Sequence, residues 1–302
     1  LELEKTASGK GKFQIKLMIL QLWRFGLEQA KSCVFAVAVF ATLAVSKMIH
    51  IPWLPRYDLI LLVLLAVQVW MYRSGKETLD EIKVICVFHL IGLGLELYKV
   101  HMGSWAYPEP ALTKICGVPL YSGFMYASVA SYLCQAWRRF DLRLTSWPHP
   151  FLTVSLSAVI YANFFTHHFI MDLRWVLLAA VFAVFLRVQV SYRVGHETYR
   201  MPLALSFLLI GFFIWVAENI ATFFGAWQYP NQREGWSLVD FSKISSWYLL
   251  VIISIIIVAQ LKHVKAKRPT GNPAMTREPE TKKRVLSFRG IAIHPIEDSP
   301  DE

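Results

Sequence analysis

The strongest constraint on this chain is that it repeats itself. Tyr72-Arg73-x-Gly75-x-Glu77-Thr78 recurs as Tyr192-Arg193-x-Gly195-x-Glu197-Thr198. Downstream of each copy lies a second motif, Glu-x6-Gly-x-Trp-x-Tyr-Pro, running from Glu96 to Pro108 and again from Glu218 to Pro230. Two compound motifs in one order argue for a duplicated structural unit rather than chance likeness.

Composition identifies the solvent of that unit. The 302 residues are 55% hydrophobic and 17% charged, with a mean hydropathy of +0.42, whereas a soluble domain carries roughly 25% charged residues. The charges collect between eight long apolar runs, near Ser32–Met48, Tyr57–Met71, Ile82–Val100, Val118–Trp137, Phe151–Phe169, Leu173–Tyr192, Met201–Phe224 and Ile244–Leu261. Each run reads as a helix that satisfies its own backbone in lipid. The expected fold is an all-α polytopic membrane protein of about eight transmembrane helices in two tandem four-helix repeats. Four is an even number, so both repeats enter from one side and are related by a pseudo-twofold axis along the membrane normal. The chain divides into a cytoplasmic tail (1–31), repeat 1 (32–145), repeat 2 (146–265) and a basic, disordered cytoplasmic tail (266–302). Within the first tail, Phe13, Leu20, Trp23 and Leu27 against Gln14, Gln21, Arg24 and Glu28 describe a helix. It either lies in the membrane interface or extends the first span.

Charge sets the orientation. The two tails and the loops near 72–83, 138–143 and 193–200 hold 23 of the 31 Lys and Arg residues, which places both termini in the cytoplasm. One cation, Arg187, falls inside a predicted span. The net charge of +10 finds its partner in anionic membrane lipid, and nucleic acid is not expected. Cys33, Cys86, Cys116 and Cys134 have no C-x-x-C spacing, so they read as buried small apolar residues rather than disulfides or thiolate ligands.

Two chemistries are written into the repeats. In the cytoplasmic motif, Gly75 and Gly195 suit the left-handed residue that ends a helix, and Arg73 and Arg193 suit its negative pole. Thr78-x-x-Glu81 resembles a capping box, and an Arg–Glu pair within or across the turns is the expected role of Glu77 and Glu197. In the external motif, Glu96 and Glu218 each lie seven residues before a Gly, or about 10 Å inside the end of a helix. A carboxylate at that depth costs several kcal/mol to insert and is a functional candidate by default. Glu96 has Lys99 one turn on, but Ala221 stands at the matching place after Glu218, so a local salt bridge does not explain both acids. Two carboxylates in one dry site repel and hold a proton between them. Trp105, Tyr107, Trp227 and Tyr229 are either interface-belt aromatics or the lining of that site. His168 joins the candidate lining, and His89, on the face of Glu96, reads as a packed or proton-relaying residue. His50 and His168 are matched by the Arg six residues after each and would join the two acids in any metal site, but no H-x-x-E or H-x3-H spacing supports one. No metal or other cofactor is expected.

At these two motifs the chain resembles an uncharacterised bacterial family of integral membrane proteins, domain of unknown function 817, over roughly residues 30–265. That resemblance implies a multi-pass protein of the bacterial cytoplasmic (inner) membrane and brings no activity. Glu96, Gly103, Trp105, Tyr107 and Gly117-Val118-Pro119-Leu120 are also similar to the E…G…Y…GVP pattern of the carotenoid hydratase and membrane lycopene cyclase families. Tyr121-Ser122-Gly123 stand where cyclases carry acids. This second resemblance implies Glu96 and Glu218 as general acids toward a polyene, with Trp105, Tyr107, Trp227 and Tyr229 steadying a cation. The expected function is thus a membrane-embedded enzyme acting on an isoprenoid or other lipid, a hydrophobic small molecule being its ligand. A proton-coupled transporter or small-solute receptor is the alternative.

Overall fold

The computed structural model describes residues 2–267, with side chains from residue 16 to residue 259. The predicted tail beyond residue 267 and the side chains of Phe13 and Gln14 lie outside the described residues. Helix α1 (Glu2–Ser32) is followed by α2 (Val34–Ser46), α3 (Arg56–Arg73) and α4 (Leu79–His101). A short strand pair, β1 (Lys114–Ile115) and β2 (Val118–Pro119), leads through a 3-10 turn into α5 (Gly123–Arg139). Then come β3 (Arg143–Thr145), α6 (Pro150–Thr166), α7 (Arg174–Phe185), β4 (Gln189–Val194), β5 (Glu197–Pro202), α8 (Leu203–Phe223) and α9 (Lys243–Lys267).

The fold is mostly helical. In the first half α2 packs on α3 and α5, and α4 on α5; in the second, α6 packs on α7 and α9, and α8 on α9. The halves meet where α4 and α5 touch α9 and where α2 touches α8. The bundle has an apolar core, and it also turns apolar side chains outward and buries acids. Leu62, Val69 and Trp70 of α3, Phe151 and Val154 of α6, and Leu208, Phe212 and Phe213 of α8 point outward, while Glu77, Glu96 and Glu218 are buried. Among the described residues α8 is long and apolar enough to cross a membrane alone. Residues 16–32 and α2 pass that test as a pair bent by 67°. Helices α6 and α7 and the Lys243–Ala259 part of α9 are shorter apolar helices.

Every predicted run holds a helix, but one helix starts, and another ends, well inside its run. The run beginning at Val118 becomes helical only at Gly123. Cys116 and Gly117 both have positive φ, closing the β1–β2 hairpin, and Pro119 has no N–H to give a helix. The run ending at Tyr192 leaves helix at Phe185. Val188, Val190 and Val194 bury alternate side chains of an extended segment, a period of two that a helix cannot satisfy. Strand β4 pairs antiparallel with β3 and β5. Arg187 therefore lies in the connection before this sheet, exposed, and not inside a helix.

The cytoplasmic motif consequently has two different structures. In the first copy Gly75, at φ +69°, follows α3, and the N–H of Lys76 bonds the Met71 carbonyl at 2.9 Å, the 6→1 bond of a Schellman stop. Thr78 and Glu81 then form the predicted capping box. In the second copy Gly195, at φ +63°, opens the two-residue turn between β4 and β5, the place a hairpin turn reserves for glycine. The expected Arg–Glu pairs do not form. Buried Glu77 accepts instead from Gln68 of α3 and Ser131 of α5. Burial pushes its carboxyl above the usual carboxylate range, against the pull of those two bonds. Arg73 and Glu197 are exposed, and Arg193 reaches Asp141 at 3.5 Å. The cysteines are also less buried than expected: only Cys134 is buried, and Cys86 and Cys116 are exposed.

Helix α1 packs Phe25 against Phe140 and Tyr192 while Leu17, Met18, Ile19, Leu22 and Trp23 stay exposed. One glycine fixes how closely two helices approach. A Cβ on Gly211 of α8 would lie 3.1 Å from the Tyr248 backbone nitrogen of α9, whereas one on Gly94 meets nothing within 4 Å. Gly211→Ala should therefore destabilise the folded protein by about 1–3 kcal/mol. Gly94→Ala should stabilise it by about 0.5–1 kcal/mol. Denaturant unfolding in a fixed detergent checks both signs.

Candidate functional site

Helices α4 and α8 end in the same way, and that ending builds the site. Gly103 (φ +70°) and Gly225 (φ +67°) take the left-handed conformation. The N–H of Ser104 bonds the Lys99 carbonyl at 2.9 Å, and that of Ala226 bonds the Ala221 carbonyl at 3.0 Å. Each Schellman stop turns the chain back along its own helix. The residue four places beyond the Gly, and in the first copy also the one two places beyond, then reaches the Glu that stands seven places before it. Trp105 Nε1 donates to Glu96 Oε2 at 2.6 Å, and Tyr107 Oη donates to the same oxygen at 2.7 Å. In the second copy the Tyr229 hydroxyl donates to Glu218 Oε1. The two return segments touch each other: Ala106 and Gln228, equivalent positions of the two motifs, exchange backbone bonds of 2.9 Å in both directions.

Each acid has one more donor that the motifs do not contain. Tyr126 Oη of α5 donates to Glu96 Oε1 at 2.8 Å, and Trp247 Nε1 of α9 donates to Glu218 Oε2 at 2.8 Å. Sequence reasoning missed both residues. Their signal was an aromatic 30 residues after Glu96 and another 29 residues after Glu218, a match blurred by one residue of unequal loop length. The two shells share walls, since Trp105 meets Tyr229 edge-on at 5.9 Å and Tyr126 lies 6.3 Å from Trp247.

Glu96 and Glu218 are 5% and 4% exposed, and neither is in an ion pair among the described residues. Their stabilisation comes from hydrogen bonds, each worth about 1.5–3 kcal/mol to a charged acceptor. An indole N–H can only donate, so the oxygens facing Trp105 and Trp247 must accept. Lys243 lies over the faces of Tyr229 and Trp105, at 4.8 and 5.8 Å from their centroids, within electrostatic reach of Glu218.

Tyr126 and Trp247 have a second surface. Both line a small apolar cleft of about 40 Å³, partly open to the surroundings, between α4, α5, α6, α8 and α9, with Phe88, Leu95, Tyr161 and Ile257 among its walls. Each acid is thus one hydrogen-bonded side chain away from the cleft.

The remaining predicted site residues distribute unevenly. Trp105, Tyr107 and Tyr229 converge on the acids, whereas Trp227 is directed at Tyr229 and not at Glu218. His168 is not in the aromatic lining. It stands with His167 against Lys99, whose Nζ is 3.1 and 3.3 Å from their Nε2 atoms, so Lys99 does not bridge to Glu96. His50 is exposed, and no group of three or more His, Cys, Asp or Glu is placed to hold a metal ion among the described residues. His89 packs edge-on to Phe124 at 4.7 Å with Nδ1 buried and unbonded.

Gly92 keeps room for the Tyr126 ring, because a Cβ there would lie 2.4 Å from two of its carbons. Gly92→Ala should push the ring away from Glu96 and cost about 1–3 kcal/mol. In Tyr126→Phe the phenol bond is already absent, so Gly92→Ala should perturb the carboxyl stretch of Glu96 only where Tyr126 is present. Infrared spectra of the two single variants and the double variant check this.

Residues 21–255 match the family model described as protein of unknown function, DUF817. The chain is 63% identical over 252 residues to the uncharacterized protein YoaT of Bacillus subtilis (strain 168), covering 83% of this chain and 96% of that one. Among solved structures it is similar to a mycobacterial Insig homolog, MvINS from Mycobacterium vanbaalenii, at 13% identity and a TM-score of 0.45, covering 64% of this chain and 98% of that one. A cross-linked trimer of MvINS gives a TM-score of 0.44 at the same identity and coverage. With most of its length matched by the family model and a relative of this identity, the chain belongs to the DUF817 family.

Proposed function

We propose that this chain is a membrane-embedded enzyme that protonates an isoprenoid or other lipid hydrocarbon, with Glu96 and Glu218 as its acid pair. The observation that carries the reading is the double role of Tyr126 and Trp247, which donate to the two carboxyls and also wall the apolar cleft. An apolar cleft selects a hydrocarbon, and a hydroxyl hydrogen-bonded to Glu96 can pass a proton between that carboxyl and a molecule lying beside Tyr126. The faces of Tyr126, Trp247 and Tyr161 would stabilise positive charge developing on the hydrocarbon.

Placement in a bilayer is part of the proposal. Outward Leu, Val and Phe side chains on α3, α6 and α8 support a lipid-facing surface, and the Lys/Arg distribution supports an orientation with both termini on the cytoplasmic side of the inner membrane. The like packing of α2–α5 and α6–α9, together with the reciprocal Ala106–Gln228 pairing, supports two repeats about an axis along the membrane normal.

The proton is the traceable reagent. Protein purified with its bound lipid and moved into deuterated buffer should leave deuterium on a carbon of that lipid, detected by mass spectrometry. Glu96→Gln and Glu218→Gln should lower the uptake by roughly 10²-fold or more. A bound hydrocarbon that gains no deuterium in the unaltered protein, or gains it equally in the Gln variants, would leave the acids without this role.

A further inference from the structure

Away from the acid pair, one buried cation lacks a counter-charge. Lys99, in the last turn of α4, is 5% exposed and has no carboxylate within ion-pair distance among the described residues. Its two contacts are imidazoles, His168 Nε2 at 3.1 Å and His167 Nε2 at 3.3 Å. His167 Nδ1 lies 3.0 Å from the Asn163 carbonyl oxygen, which can only accept. That nitrogen therefore carries the ring proton, and Nε2 offers Lys99 a lone pair. Two of the three ammonium protons are so occupied, and the third has no acceptor among the described residues.

The surrounding charge does not neutralise the ammonium. Lys243 and Arg174 act on Lys99 as like charges and Asp172 as an opposite one, but Asp172 already holds Arg174 at 3.2 Å and Asn163 at 3.1 Å. A desolvated ammonium with a free donor and cationic neighbours is a site for an anion. The next segment indicates where the anion comes from. Phe169, Ile170 and Met171 are 73%, 59% and 77% exposed, and Trp175 is 72% exposed. An apolar tip of this kind beside a buried cation matches the depth at which lipid phosphates meet hydrocarbon.

We propose that Lys99, with His168 and Arg174, binds the phosphate of an anionic phospholipid at the outer ends of α4 and α6. The site rests on the bilayer placement above and is independent of the proton chemistry of Glu96 and Glu218. The third Lys99 N–H is the donor offered to the oxyanion, His168 holds the ammonium in place through Nε2, and Arg174 adds positive charge nearby. Inorganic phosphate carries the same chemistry and is the second source to be distinguished.

The test uses full-length protein, delipidated in a nonionic detergent, with its thermal unfolding midpoint read after adding phosphatidylglycerol, a phosphate-free glycolipid, or sodium phosphate against sodium chloride at equal ionic strength. Phosphatidylglycerol, but not the glycolipid, should raise the midpoint by about 2–4 °C. The rise should vanish in Lys99→Gln and His168→Leu, persist in Lys99→Arg, and be unaffected by Lys83→Gln, an exposed lysine of the first turns of α4. A matching rise with sodium phosphate alone, lost in the same variants, keeps the site and assigns it to free anion. No rise in the unaltered protein, or an equal rise in Lys99→Gln, overturns the proposal. His168→Leu covers the case in which Lys99→Gln fails to fold, and an undiminished rise there likewise overturns the proposal. Flotation with phosphatidylcholine liposomes separates the two levels: a protein that fails to float contradicts the bilayer placement, whereas one that floats without a Lys99-dependent shift contradicts this site alone.

Discussion

A carboxyl group buried in an apolar interior must find donors, and this requirement organises the centre of the structure. Leaving such a group unpaired costs about 1–3 kcal/mol, more if it is charged. The chain meets the requirement locally. A glycine stops the helix, the left-handed turn reverses the backbone, and the aromatic residues that follow fold back onto the acid of the same helix. The Glu, Gly, Trp and Tyr of the motif are therefore one device, and the spacing between them is fixed by helix rise and turn geometry.

The two copies of the device are not identical in use. Glu96 receives three donors, from Trp105, Tyr107 and Tyr126, while Glu218 receives two, from Tyr229 and Trp247, and has Lys243 nearby. Trp227 turns to Tyr229, and Trp247 of α9 supplies the indole that Trp105 supplies to Glu96. Arg56 joins the halves from the side by donating to the Phe224 and Gly225 carbonyls at the end of α8, to the Leu43 carbonyl and Ser46 of α2, and to Glu109. The Tyr121 hydroxyl, at the point where the chain departs from the cyclase pattern, reaches the Ala226 carbonyl of the other half. Polar bonds between halves thus surround the acids, and others join the halves farther out, from Tyr98 to the Phe165 carbonyl, from Tyr161 to the Ile91 carbonyl and along the β3–β4 ladder.

Much of this was legible in the sequence because it rests on local rules. Gly75, Gly103 and Gly225 ended helices as their spacing required, and Thr78 with Glu81 capped α4. The convergence of Trp105, Tyr107 and Tyr229 on the acids followed from the repeated spacing. What was not legible depended on partners far away in the chain. Tyr192-Arg193 looked like the helical Tyr72-Arg73 until strand β3 claimed β4 as a neighbour. Glu77 looked like a partner for Arg73, yet Gln68 and Ser131 lie closer once α3 and α5 pack. His168 was assigned to the acid site on depth alone, and azimuth around the bundle placed it with Lys99. Tyr126 and Trp247 were overlooked because an unequal loop shifted one of them by a residue.

The central claim is that Glu96 and Glu218 act as one coupled pair across the Trp105–Tyr229 and Tyr126–Trp247 contacts, and a double-mutant cycle measures that coupling directly. Reversible denaturant unfolding of the unaltered protein, Glu96→Gln, Glu218→Gln and the double variant, in one detergent, gives the interaction free energy. The account predicts non-additivity of at least about 0.5–1 kcal/mol, as for residues sharing a network. Additivity to within about 0.3 kcal/mol would mean two independent acids that happen to repeat, and would contradict the shared site.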